Sequence, residues 1–145
     1  MENKTDIEII SKEEIEMLRD TVTLIDGNVV YHKVISKTTV LQEKIMFEEI
    51  GRVTKHLTKF FYINDLSDAV APSPEVKKAV QENIQGLEEK IAHLFIITGK
   101  NKLLNLMLNF ILKPILGNIS FSLHNSYDSA KDALQEKKLQ HSKKD

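Results

Sequence analysis
The sequence predicts one α/β domain built on a mixed sheet of about five strands, an opening β-hairpin followed by strand–helix crossovers. Three observations carry that prediction. Apolar residues shift repeatedly between unbroken β-branched or aromatic runs and helical three-to-four-residue steps. A glycine-centred reversal, Asp26-Gly27-Asn28, separates the first two β-rich runs. Capping residues stand just ahead of several periodic stretches. With 145 residues, 41% of them hydrophobic, the chain is large enough to bury a core without disulfides or metal staples.

Ser11, with Glu14 three positions on as in a capping box, opens a short amphipathic helix carrying Ile15, Met17 and Leu18. Residues 21–25 and 29–35 flank the reversal, where glycine and asparagine tolerate a left-handed backbone, and form the hairpin. Over residues 39–57 the period changes to helical. Leu41, Ile45, Ile50, Val53 and Leu57 line one side, while Glu43, Lys44, Glu48, Glu49, Arg52 and Lys55 fill the rest. Phe60, Phe61, Tyr62 and Ile63 read as a strand buried on both faces.

Ser73 then supplies an N-cap, Pro74 a first helical residue and Glu75 a first-turn acid, ahead of the stripe Val76, Val80, Ile84 and Leu87. Residues 91–98 form a central strand stopped by Gly99, and an apolar helix within 102–117 ends at Pro114 and Gly117. Ile119, Phe121 and Leu123 alternate with Ser120, Ser122 and His124, the pattern of an edge strand covered on one face. Ser126 caps a last helix containing Ala130, Ala133 and Leu134. The organisation expected is an N-terminal extension with a short helix (1–20), the α/β domain (21–138) and a polar tail (139–145).

A formal charge of −1 supplies no field toward nucleic acid, so no nucleic-acid partner is expected. The absence of cysteine removes disulfides and thiolate chemistry and fits a reducing compartment. The opening MENKTDIEIISKEE lacks an apolar run with a small-residue cleavage site, and a cytoplasmic location is expected. Residues 103–116 are apolar but interrupted by Asn105, Asn109 and Lys113-Pro114, and they fall short of the roughly 20 residues of a spanning helix. No transmembrane segment is expected.

His32, His56, His93, His124 and His141 never fall at metal-pair spacing, and His93 reads as a hydrogen-bonded core residue. Glycine-rich phosphate loops, GxSxG elbows and HExxH motifs are missing from the sequence, so catalytic residues, metal and cofactor are all assigned as none, and the chain reads as non-enzymatic.

The hairpin, the strand-to-turn run FFYINDLSD (60–68), the strand IAHLFIITG (91–99) and NLMLNFILKP (105–114) leading into ISFSLHNSYDSAKDAL together resemble the STAS domain family. That is the SpoIIAA-like fold of anti-sigma factor antagonists, and the likeness is nearest to short stand-alone bacterial STAS-like proteins. The resemblance implies a regulatory, partner-switching protein that works through protein–protein contact. It also implies a phosphorylatable serine in the turn after the third strand. The matching positions are Asp65, Ser67 and Asp68, with Ser73 at the helix start; a longer loop, AVAPSPE, stands where the family's compact motif would be.

The helix within 102–117 is apolar around about two-thirds of its circumference, more than the stripe a little over 100° wide that packing on one sheet uses. Leu103, Met107, Phe110 and Ile111 are therefore candidates for an apolar interface, in a homodimer or with a protein partner, or for contact with a lipid or other small apolar ligand. The second class, a carrier, is the alternative to an interaction protein. Burial of the surplus against neighbouring helices is the structural alternative to both.

Overall fold
The computed structural model describes residues 9–34, 37–100 and 116–144. Along them run α1 (Lys12–Asp20), β1 (Val22–Ile25), β2 (Val29–Lys33), α2 (Val40–Val53), β3 (Phe60–Asp65), α3 (Pro74–Gln85), β4 (Ile91–Ile97), β5 (Phe121–His124) and α4 (Tyr127–Lys144). The described strands form one sheet in the order β1-β2-β3-β4-β5. β1 is antiparallel to β2, and each later pair is parallel. This is the mixed α/β sheet that the alternation of periods predicts.

From β2 onward the strand order never reverses, so right-handed crossovers must place successive connecting helices on the same face of the sheet. The packing agrees. Leu18 of α1, Met46, Phe47 and Ile50 of α2 and Ile84 of α3 share one cluster with Val30, Tyr62, Leu94 and Ile96 from the strands. Helix α4 follows the last strand and is free of the crossover rule. It covers the opposite face, where Ala130 and Leu134 pack with Val29, Phe61, Ile63, Phe95 and Ile97. Small alanines let this helix approach the sheet closely. Its backbone continues through most of the polar stretch from Leu139, as far as Lys144.

Local chemistry fixes the ends of the elements. The Ser73 hydroxyl oxygen accepts the Val76 N–H at 3.3 Å, and that of Ser126 accepts the Ser129 N–H at 3.2 Å, as the sequence predicts. In the hairpin turn the left-handed residues are Asp26 (φ 52°) and Gly27 (φ 81°), so aspartate rather than Asn28 takes the second such position. At α1 the Ser11 oxygen accepts the Glu14 N–H at 3.1 Å, but the Glu14 carboxylate turns to accept from Gln42 of α2 at 2.9 Å. The complete capping box lies at α2, where Thr39 and Gln42 exchange bonds of 3.1 and 2.9 Å. Thr39→Ala removes the hydroxyl half of that exchange, and a loss of about 1 kcal/mol is expected in urea unfolding.

Two residues expected on the solvated side of α2 are buried. Glu43 is 5% exposed and Glu49 7%. Thr38 donates to Glu43 at 2.6 Å, and Arg52 clasps Glu49 through bonds of 2.8 and 2.6 Å, which is how each carboxylate tolerates its position.

Candidate functional site
The carboxyl ends of β2 and β3 lie side by side, with Lys33 paired in register to Asp65. Asp65 is 5% exposed and collects most of the polar groups around it. Its Oδ2 accepts the Tyr31 hydroxyl at 2.6 Å, and its Oδ1 accepts the Ser67 N–H at 3.0 Å and the Ser67 hydroxyl at 2.6 Å. Lys33 Nζ lies 4.0 Å from Asp65 and 3.1 Å from the exposed Asp68. Burial pushes the Asp65 carboxyl up, but the bonds from Ser67 and Tyr31 and the Lys33 charge outweigh it and hold it below its ordinary value. The Tyr31 hydroxyl is driven the other way, by burial first and then by the carboxylate it serves.

Backbone bonds pin this turn on both sides. Leu66 N–H donates to Ile97 of β4 at 2.8 Å, and Val34 N–H donates to the Asp65 carbonyl at 3.0 Å. Gly99, at φ 70°, passes so close that an added Cβ would lie 3.1 Å from the Ser67 Cβ. Both the left-handed backbone and the close approach favour a glycine there. The result is a hydrogen-bonded acidic turn presenting an exposed serine, with the exposed Val70 close behind it in the same loop.

Of the residues that the sequence singles out, Asp65, Ser67 and Asp68 are brought together. Ser73 serves α3 as its cap, its hydroxyl oxygen taken by Val76. Leu103, Met107, Phe110 and Ile111 lie outside the described residues. Tyr31 and Lys33 complete the cluster and were not indicated by the sequence, because only the parallel pairing of β2 with β3 brings them beside Asp65.

A second polar group lies under α4. Ser120 Oγ is 2.6 Å from His93 Nδ1, and His93 Nε2 is 2.9 Å from Ser122 Oγ. Ser122 Oγ is 2.7 Å from His124 Nε2, and His124 Nδ1 is 3.0 Å from Ser129 Oγ. His93 is the hydrogen-bonded core histidine that its strand position predicts. The Ser122/His124 side of β5, expected to face solvent, is half-buried, since α4 rests over it.

Among the described residues no group of histidines and carboxylates is arranged to hold a metal ion, and no helix is long and apolar enough to cross a membrane. An open groove of about 330 Å³ runs between α2 and α3, with Phe47 and Leu87 in its lining and Lys44, Glu48 and Glu82 adding charge. Comparison of the chain with protein-family models, curated proteins and solved structures found no match.

Proposed function
We propose that this chain is a non-enzymatic, STAS-like regulatory module that binds a protein partner through the turn after β3, with Ser67 as the residue whose phosphorylation changes that binding. The observation that carries the proposal is the 2.6 Å bond from the exposed Ser67 hydroxyl to the Asp65 carboxylate. Asp65 is ionised at neutral pH and sits where it can accept the serine proton as the Ser67 oxygen bonds to the γ-phosphorus of a nucleoside triphosphate held by a partner kinase, the bond to the departing nucleoside diphosphate breaking in the same transfer. Lys33 supplies a cation beside the acidic pair, so a phosphate there does not meet only like charge. A dianion at Ser67 competes with Asp68 for Lys33 and makes the already acidic exposed turn more negative still.

The test uses the full chain, immobilised and exposed to extract of its source cells, as wild type, Ser67→Glu and Val70→Asp. Both positions are exposed, so the fold is expected to survive, which a thermal melt checks. Specific captured proteins should fall about tenfold or more in both variants. An identical set of captured proteins across all of them rules the turn out as the contact.

A further inference from the structure
We propose that the Ser120–His93–Ser122–His124–Ser129 chain is an acid-sensitive latch: while neutral it ties β5 and the first turn of α4 to β4, and when its histidines charge it lets that edge of the sheet open. The chain crosses consecutive elements. His93 belongs to β4, Ser122 and His124 to β5, and Ser129 to α4. Ser120 immediately precedes β5, and its carbonyl also accepts the Leu94 N–H at 2.9 Å.

Proton counting shows what the chain holds. A neutral imidazole has one N–H and one lone pair, and each hydroxyl has one proton to give. All contacts can then be made with every donor pointing the same way, either from Ser120 toward Ser129 or in reverse. One extra proton is also housed without conflict, because the histidine that takes it donates from both nitrogens while Ser122 donates to its neighbour. A second extra proton breaks that order. Both rings then direct an N–H at the lone pairs of the same Ser122 oxygen, from 2.9 and 2.7 Å, the Ser122 O–H loses its acceptor in the chain, and two cations flank one hydroxyl.

The surroundings offer the cations no relief. On the same sheet face the Phe95 ring lies tilted against both imidazoles, its centroid 4.5 Å from that of His93 and 6.0 Å from that of His124. β3 contributes Phe61, in register with His93. From α4 the group acting on His93 is Lys137, also a cation, while Asp128, Lys131 and Asp132 are exposed. Asp65 and Lys33 share the His124 row of the sheet, but they stand two and three strands away, about 10 Å or more, and are engaged with each other, Tyr31, Ser67 and Asp68. Burial first, then Lys137 and His124, lowers His93 from 6.5 to about 4; burial lowers His124 as well.

With the closed-state value below the open-state value, the closed form is favoured fully above about pH 6.5 and loses ground as the pH falls toward 4. Of the two strands the latch joins, β5 is the one that yields, because it lies at the end of the described sheet order, pairs only with β4 and spans four residues, whereas β4 is held between two neighbours.

Hydrogen-exchange mass spectrometry on the full chain tests this at about pH 7 and about pH 5, after correction for the intrinsic pH dependence of exchange. Opening of residues 118–130 should rise at the lower pH on the order of tenfold more than that of β2 and β3, whose loss reports only the global destabilisation by His32. In His93→Gln that excess should fall to the part that His124 supplies. Should the variant not fold, the His93 ring resonances of the wild-type chain decide: titration near its ordinary value with β5 still protected overturns the proposal. Uniform loosening of the whole sheet, or an excess unchanged in His93→Gln, overturns it too.

Discussion
Replacing Phe95 by alanine is expected to cost about 4 kcal/mol, lowering the melting temperature on the order of 15 °C. Phe95 is fully buried on β4, inside the cluster that α4 closes with Ala130 and Leu134. Its ring lies against Phe61 at a centroid distance of 6.3 Å and against His93 and His124 at 4.5 and 6.0 Å. Truncation removes apolar burial and leaves a cavity that the neighbouring strands cannot collapse, since their hydrogen bonds fix their spacing. The cavity also borders two imidazoles, so water entering it should let His93 titrate closer to its ordinary value. Phe121, half-buried on β5, is the control: its alanine variant should lose roughly half as much. Equal losses at the two positions would mean that α4 does not seal the second face.

The fold was legible in the sequence where local physics is decisive. Ser73-Pro74-Glu75 and Ser126 mark helix starts by capping chemistry alone, and Ile91 to Ile97 announces a central strand by being apolar on both faces. Strand order was not legible, because each crossover satisfies the same local rules wherever its strand lands. That ignorance hid the rest. Tyr31 and Lys33 became partners of Asp65 only once β2 was known to pair with β3, and Ser122 met His93 only once β5 was known to pair with β4. The Ser122/His124 side of β5 looked solvated because α4 carries little apolar surface to advertise its packing. Ala130, Ala133 and Leu134 suffice, since small side chains bring the helix close. Of the candidate site, Asp65, Ser67 and Asp68 were readable as a polar turn at a strand's carboxyl end; the carboxylate's burial and its three bonds were not.

On the other face of the sheet, His32 should make stability fall by about 3 kcal/mol between pH 6.5 and 4. It is 1% exposed on β2, and its Nδ1 lies 2.9 Å from the Tyr62 hydroxyl while its Nε2 lies 3.2 Å from Met46 Sδ. A thioether only accepts, which assigns the ring proton to Nε2 and makes Tyr62 the donor to Nδ1. Protonation adds an N–H that faces the tyrosine's own donor and places a charge where no carboxylate bonds to it. Burial alone lowers this imidazole from 6.5 to about 4.

The folded value lies below the unfolded one, so the contribution is complete above about pH 6.5 and disappears as the pH drops through that interval. Glu43 opposes it. Burial raises its carboxyl against the lowering effect of the Thr38 bond, so the folded chain takes up that proton first and gains stability as the pH falls. Glu43→Gln should therefore steepen the acid loss. Asp65 and Glu49, both held low, keep their contributions until the pH passes below their ordinary range.

Urea unfolding at a series of pH values reads all of this. The decisive variant is His32→Leu with Tyr62→Phe, which removes both polar partners together and so leaves neither unsatisfied. It should unfold within about 2 kcal/mol of the wild type at neutral pH and show a shallower decline below about pH 6.5. If its decline matches the wild type's, the acid sensitivity originates elsewhere, and the His93–His124 chain becomes the group to examine.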